Sequence, residues 1–234
     1  MRPLPRALLA LVLLFAALPL AACDPVDAAS ASGSRPASPR PSQGPDVDSS
    51  VSAALSGVDR LTVRPERDAR SYRRAAFGQR WADVDRNGCA TRDDVLARDL
   101  KDVRRRGRCV VVAGTGTDFY TGEAFRFEKA HADLVQVDHV VALAEAWRSG
   151  AAAWTDDRRR TFANDPRLLV LTSRSVNAGK GDQDAGTWSP ASRDAACRFA
   201  VVVVQVKVAY GLTVDARERE GLLADLRACP AGRR

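Results

Sequence analysis

Leu134-Val135-Gln136-Val137-Asp138-His139 is followed downstream by Leu168-Leu169-Val170-Leu171-Thr172 and then by Asn177-Ala178-Gly179-Lys180-Gly181-Asp182. The first two runs are short, aliphatic and β-branched, the pattern of strands. The first strand delivers Asp138 and His139 at its end. The second leads through a turn into a helix from Ser175 to about Lys180, on which Asn177 and Lys180, three positions apart, share a face. Neighbouring residues of a regular strand point to opposite sides. Asp138 and His139 therefore serve one site only if the strand twists or stops there.

Outward from this frame, Arg64 to Trp81 has helical spacing, with Tyr72, Ala76 and Phe77 on one side. Thr91 is placed to cap a helix running to about Val103. Arg108 to Val112 reads as a strand ended by a Gly114-Thr115-Gly116 turn. Val140 to Trp147 and Asp156 to Phe162 read as helices. Val201 to Val204 has strand propensity, but it sits within Asp194 to Tyr210 without a turn residue, which favours a buried helix. Asp215 and Glu218 have the spacing of a capping box for a final helix. These elements predict an α+β fold, mostly helical.

The N-terminus reads as an address. Arg2 and Arg6 precede an apolar run, Leu8 to Leu20, which is too short for a spanning helix of ~20 residues. It ends in Leu20-Ala21-Ala22-Cys23, which resembles a bacterial lipobox and implies cleavage before Cys23 and its lipidation. Residues 1–22 are expected to be a lipoprotein signal peptide and 23–57 a flexible Ser/Pro/Ala-rich tether. Residues 58–234 are expected to form one folded domain outside the cytoplasmic membrane, anchored to it by lipid. The chain has 234 residues, a net charge of +7 and two histidines. The charge favours a polyanionic partner such as nucleic acid. The two histidines exclude a His-rich metal cage and leave His131 and His139 for any imidazole chemistry. No GxSxG elbow is present for a serine hydrolase.

Beyond Cys23 remain Cys89, Cys109, Cys197 and Cys229, an even number that reads as disulfides in an exported chain. Three pairings are open. Cys89–Cys109 with Cys197–Cys229 is favoured because each pair brackets one local unit. Without a CxxC spacing, a four-cysteine zinc site is disfavoured.

The ordered set Gln136 to Trp147, Phe162-Ala163-Asn164-Asp165-Pro166 and Asn177-x-x-Lys180-Gly181-Asp182 resembles the HNH endonuclease family. Its nearest branch is exported and related to the C-terminal nuclease domain of GmrSD-type restriction enzymes. Tyr72, Phe77-Gly78, Trp81, Arg98-Asp99-Leu100 and the tail from Cys197 through Tyr210-Gly211-Leu212 extend the likeness over about residues 70–229. The resemblance implies a ββα-metal (HNH, His-Me finger) core and metal-dependent hydrolysis of DNA, with RNA as a second substrate class, leaving a 5′-phosphate. It implies His139 as general base, because a neutral imidazole has the basicity to take a proton from water. Asp138 and Asn177 match the metal-ligand positions. One carboxylate and one amide oxygen suit Mg²⁺ or Mn²⁺. Lys180 is expected to contact a phosphate. One departure stands out: the family's middle Asn falls on Leu168, which cannot hydrogen-bond the loop carrying the base, and Asn164 is a candidate substitute. Glu145 and Asp182 read as surface or salt-bridging acids, and His131 as peripheral.

Asp83-Val84-Asp85-Arg86-Asn87-Gly88, with Asp94 at the twelfth position, resembles a calcium loop. It reads either as a structural Ca²⁺ site through Asp83, Asp85 and Asn87 or, with greater weight, as an acid-rich turn held by internal hydrogen bonds. The basic clusters Arg73-Arg74, Arg104-Arg105-Arg106 with Arg108, and Arg158-Arg159-Arg160 are able to track phosphates without reading sequence. No protein partner is implied. The rival reading is a non-catalytic envelope lipoprotein that keeps the scaffold to bind nucleic acid or an anionic cell-wall polymer. A weaker one is a calcium-stabilised structural envelope protein.

Overall fold

The computed structural model describes residues 51–230. The signal peptide, Cys23 and most of the tether fall outside them. Helix α1 (Val51–Arg60) turns Val51, Ala54 and Val58 inward, an apolar stripe at helical spacing. Packed structure is therefore present seven residues ahead of the expected start at residue 58. The Ser/Ala/Gly composition of 51–57 suggested a tether, but the spacing of its few apolar residues builds a helix against the C-terminal half. A Cβ on Gly57 would meet Val204 Cγ1 at 2.5 Å, so the two backbones approach closely there.

Residues 64–81 do not form the expected α-helix. They make two short 3₁₀ turns, Ala69–Ser71 and Arg74–Phe77, with positive φ at Asp68 (63°) and Trp81 (56°). Phe77 is nonetheless buried, with Tyr72 and Ala76 half-buried beside the core: Phe77 lies 6.1 Å from Trp147 and 6.3 Å from Phe162 between ring centroids. Aromatic packing holds an irregular segment that helical periodicity alone described wrongly.

Helix α2 (Thr91–Asp99) stops at Leu100, where the chain becomes extended. Its N-cap is Ala90 rather than Thr91, whose hydroxyl donates to the Ala82 carbonyl. Three antiparallel strands follow, β1 (Lys101–Arg106), β2 (Val110–Thr117) and β3 (Ala124–Glu128), in that order across the sheet. Strand β1 is exposed and cationic, as edge strands often are, and its charges hid it as a basic cluster. Gly114 and Gly116 do not end β2 as expected. They lie inside it, because a Cβ on Gly116 would come 2.8 Å from the Phe125 ring and 2.9 Å from Leu100.

Strands β4 (Val135–His139) and β5 (Leu169–Ser173) pair antiparallel, with His139 opposite Leu169 and Val137 opposite Leu171. Between them lie α3 (Leu143–Arg148) and α4 (Asp156–Ala163). Helix α3 starts three residues later than expected. Helix α5 (Arg174–Lys180) follows β5 directly. Helix α6 (Arg193–Tyr210) contains the buried Val201–Val204 run; helical placement overrides strand propensity there. Helix α7 (Ala216–Arg227) is capped by Asp215, which accepts from the Glu218 amide. The reciprocal half of the capping box is absent, since the Glu218 carboxylate reaches Lys207 instead. The disulfides are Cys89–Cys109 and Cys197–Cys229, the favoured pairing, and each restricts the unfolded chain by about 3–4 kcal/mol. Among the described residues no helix is long and apolar enough to cross a membrane.

Where α7 crosses the loop after α5, a Cβ on Gly221 would stand 1.9 Å from the Ala185 carbonyl oxygen, a backbone atom that has no rotamer to yield. Gly221→Ala is expected to cost about 2–4 kcal/mol, measured as a lowered midpoint in urea unfolding. A midpoint equal to that of the wild type would show that this crossing is loose.

Candidate active site at the end of the central hairpin

The pairing of β4 with β5 runs one bond past His139, the Val140 amide donating to the Leu168 carbonyl at 2.9 Å, and the chain bends at Val140. That bend lets neighbours that alternate on a regular strand border one cleft. The cleft measures about 390 Å³ and is lined by Tyr72, Arg74, Asp138, His139, Gly181 and Asp182, among others.

Helix α5 lies along one side of β4. Its N-cap is Ser173, whose hydroxyl accepts from the Val176 amide. Asn177 Nδ2 donates to Gln136 Oε1 at 2.7 Å. One turn on, Lys180 Nζ donates to the His139 carbonyl at 2.9 Å and pairs with Asp138 Oδ2 at 3.0 Å. Lys180 is fully buried. Where a phosphate contact was expected of it, the ammonium meets Asp138 and the strand end. Among the described residues no hydrogen bond joins Asn177 to Asp138; each is tied to a different partner along the same helix–strand interface.

Asp138 Oδ2 also accepts from the buried Tyr120 hydroxyl at 2.7 Å. Burial, with the Asp138 charge, pushes the Tyr120 pKa well up, so the phenol stays a donor. Asp118 places that tyrosine. Its Oδ1 accepts from the Tyr120 amide, and its Oδ2 accepts from Thr172 Oγ1 and the Ser173 amide on β5. Neither residue stood out in the sequence. An Asp two positions before a Tyr is a common turn, and its bond to β5 spans 54 residues.

His139 is buried, with Nε2 2.8 Å from the Ala163 carbonyl. A carbonyl oxygen only accepts, so Nε2 carries the proton and Nδ1 holds the lone pair. Trp81 stacks on the ring with centroids 6.1 Å apart and planes 12° apart. Burial lowers the imidazole pKa to about 4, against the opposing pull of the Ala163 carbonyl and Asp138, and Arg74 and Lys180 depress it further. The ring is neutral near pH 7.

Leu168 points into the core, wholly buried. Two backbone carbonyls meet the segment around His139: Leu168 takes the Val140 amide as the next bond of the ladder, and Ala163 takes the imidazole. Asn164 does not substitute by its side chain. Its Nδ2 donates to the Arg160 carbonyl, and its buried Oδ1 has no hydrogen-bond partner among the described residues.

Arg74, one of the basic pair noted in the sequence, is exposed and makes no ion pair among the described residues while lining the cleft beside His139. The other clusters divide. Arg159 is spent on the Ala76, Ala151 and Ala152 carbonyls. Arg158 donates to the Tyr210 carbonyl and Arg108 to the Asn87 carbonyl. Arg104, Arg105 and Arg106 lie on the β1 edge. Asp182 pairs with Arg148, Glu145 is buried against Lys207, and His131 is exposed in a 3₁₀ turn.

In the Asp83–Gly88 loop the acids bind their own backbone. Asp83 accepts from the Asn87 and Gly88 amides, Asp85 from Asn87, and Asn87 Oδ1 from the Cys89 amide. Internal hydrogen bonds of this kind are what the acid-rich turn reading expects. No cluster of three His, Cys, Asp or Glu able to hold a metal occurs among the described residues.

A disulfide-linked α+β domain whose central hairpin ends in a buried Asp–His pair, with a helix laid along it, is the class of protein that fold and site define. The family described as the C-terminal domain of GmrSD restriction endonucleases matches residues 90–221, and the chain belongs to it. It is also 36% identical over 196 residues to an uncharacterized secreted protein of Arthroderma benhamiae, covering 82% of this chain and 93% of that one. No solved structure matches the chain.

Proposed function

We propose that the protein is a metal-dependent endonuclease of the HNH type, with β4, β5 and α5 as its ββα core. The observation that carries this reading is one imidazole whose proton is pinned on Nε2 by the Ala163 carbonyl, with an unpartnered Nδ1, bordering a cleft shared with Asp138 and the unpaired Arg74. In a member of this family, that arrangement suits hydrolysis of a nucleic-acid phosphodiester, DNA first and RNA second.

Nδ1 takes a proton from water, and the oxygen attacks phosphorus. The Nε2–H bond to Ala163 fixes the tautomer and stabilises the imidazolium that forms. The bond from phosphorus to the 3′ oxygen breaks, that oxygen takes a proton from solvent, and a 5′-phosphate remains. Arg74 sets a guanidinium against the phosphate. Tyr120 and Lys180 hold Asp138 by Oδ2, and among the described residues neither its Oδ1 nor Asn177 Oδ1 has a hydrogen-bond partner. Two hard oxygen donors fit Mg²⁺ or Mn²⁺ completed by water and phosphate. The cation, when bound, supplies positive charge against the charge developing on the phosphate.

Residues 1–22 are proposed as an export signal and Cys23 as a lipid anchor, the folded domain acting outside the cytoplasmic membrane; the secreted relative supports export. Purified protein should nick supercoiled plasmid with Mg²⁺ or Mn²⁺ and stop in EDTA. Intact plasmid in both metals would overturn the assignment. The double engagement of Asp138 Oδ2 favours one second reading, a non-catalytic scaffold that binds polyanions. Salt-sensitive DNA binding with no heat of metal binding would select it.

A further inference from the structure

A second cavity, about 730 Å³, opens between the three-stranded sheet and β5. Its lining combines cations with aromatic rings. Lys101 is exposed and pairs with no acid among the described residues. Arg126 is exposed and makes only a surface pair with Glu128, which solvent and salt weaken. Arg198 donates to the Phe119 carbonyl and lies over the Phe119 ring, 5.8 Å from its centroid. The one acid in the lining, Asp99, is held by Arg98 at 2.6 Å. The rings of Phe119 and Phe125 are half-buried, and Phe125 stands directly opposite Gly116. Any side chain at Gly116 would collide with that ring, so glycine keeps the space beside it clear.

This cavity abuts the candidate active site. Val170 and Leu171 form part of its wall, and they face Asp138 and Val137 across the hairpin, one strand spacing of about 5 Å away. Phe119 lines the cavity, while the next residue, Tyr120, holds Asp138. The volume falls within the range of small-ligand sites, about 300–1,000 Å³. It is large enough for a splayed base with its phosphate.

We propose that this cavity is a binding site for a single-stranded segment of nucleic acid, bases stacking on Phe119 and Phe125 and phosphates meeting Lys101 and Arg126. Aromatic rings interleaved with cations are the chemistry that grips single strands without reading sequence. The inference rests on the nuclease reading in taking the segment to be substrate next to the cut. It makes single strands, or duplexes with frayed ends, the preferred ligand.

The test is fluorescence anisotropy of the full chain with a labelled oligothymidylate and with a duplex of equal length, in EDTA so that no cutting occurs. The single strand should bind more tightly than the duplex. Lys101→Glu with Arg126→Glu, both at exposed positions, should weaken it at least about tenfold and flatten the salt dependence, by about 0.7 in logarithmic slope per lost phosphate contact. Phe125→Leu, which keeps the fold's apolar contact, should weaken it about 5- to 100-fold. Wild-type binding by the charge variant, or tighter binding of duplex, would overturn the proposal. Loss in the charge variant without loss in Phe125→Leu would overturn the stacking and leave a plain polyanion surface. If the wild type fails to cut with any metal yet binds oligothymidylate in this Lys101- and Phe125-dependent way, the nuclease reading falls and the binding site stands.

Discussion

His139→Ala is expected to lower plasmid cleavage by about 10²–10⁴-fold, the usual worth of a positioned general base, without unfolding the protein. The expectation rests on the tautomer. The Ala163 carbonyl takes the Nε2 proton, so Nδ1 is the nitrogen able to accept, and alanine offers no replacement. Added imidazole should restore part of the rate, since the variant leaves the ring's space open beneath Trp81. Asp138→Asn should also lose activity, but with a changed dependence on metal concentration, which separates a ligand from a base. Tyr120→Phe, acting through Asp138, should shift the metal concentration needed for half-maximal rate more than the rate at saturation. Equal cutting by wild type and His139→Ala, with matched circular dichroism, would remove His139 from the mechanism.

The largest stability effect is expected at Lys207. Its ammonium, fully buried, meets Glu145 at 2.5 Å and Glu218 at 2.7 Å, with the Thr213 carbonyl at 2.9 Å. The charged groups come from α3, α6 and α7 and the carbonyl from the loop joining α6 to α7, and so fix α3 directly beyond the His139 bend. Lys207→Met strands two buried acids and is expected to cost about 3–5 kcal/mol, seen by calorimetry as a fall in Tm of about 10 °C or more. Glu145 Oε2 and Glu218 Oε1 already lack partners among the described residues. Burial, with the Glu145 charge, pushes the Glu218 pKa up to about 8, against the pull of Lys207. An unfolded Glu titrates near 4.5. Between those values the folded state keeps a proton that the unfolded chain releases, so this group's contribution is full at low pH and declines as pH rises toward 8. Glu218→Gln should therefore match the wild type near pH 5 and exceed it near pH 9. Parallel stability curves for the two proteins would show that Glu218 holds no proton in the fold.

Much of this was legible because the signals were local. The Asp138-His139 strand end, the Asn177–Lys180 helix and the capped start of α7 each lie within a few residues of the feature that reveals them. The valine run was ambiguous by propensity and was resolved by its uninterrupted surroundings. What failed did so for identifiable reasons. Helical spacing at 64–81 was real, but Phe77 found its partners in Trp147 and Phe162, and packing across that distance overrode the local period. Charge disguised β1, and glycines that admit Leu100 and Phe125 to the face of β2 were mistaken for its end. Lys180 looked like a phosphate ligand because its spacing from Asn177 says which helix face it occupies and nothing about whether that face meets solvent.

Read alone, the chain determined a strand–strand–helix unit bearing Asp138, His139, Asn177 and Lys180, the α+β class and an even set of cysteines with three pairings open. Only the folded structure decided which cysteines join, that Lys180 and Tyr120 turn inward onto Asp138, that the Ala163 carbonyl meets the His139 ring, and that Arg74 lines the cleft beside the imidazole with no ion pair among the described residues. The division follows from distance along the chain. Turns, caps and periodicity are set by neighbours, whereas burial and the choice of hydrogen-bond partner are set by segments that meet only when the whole chain has closed around them.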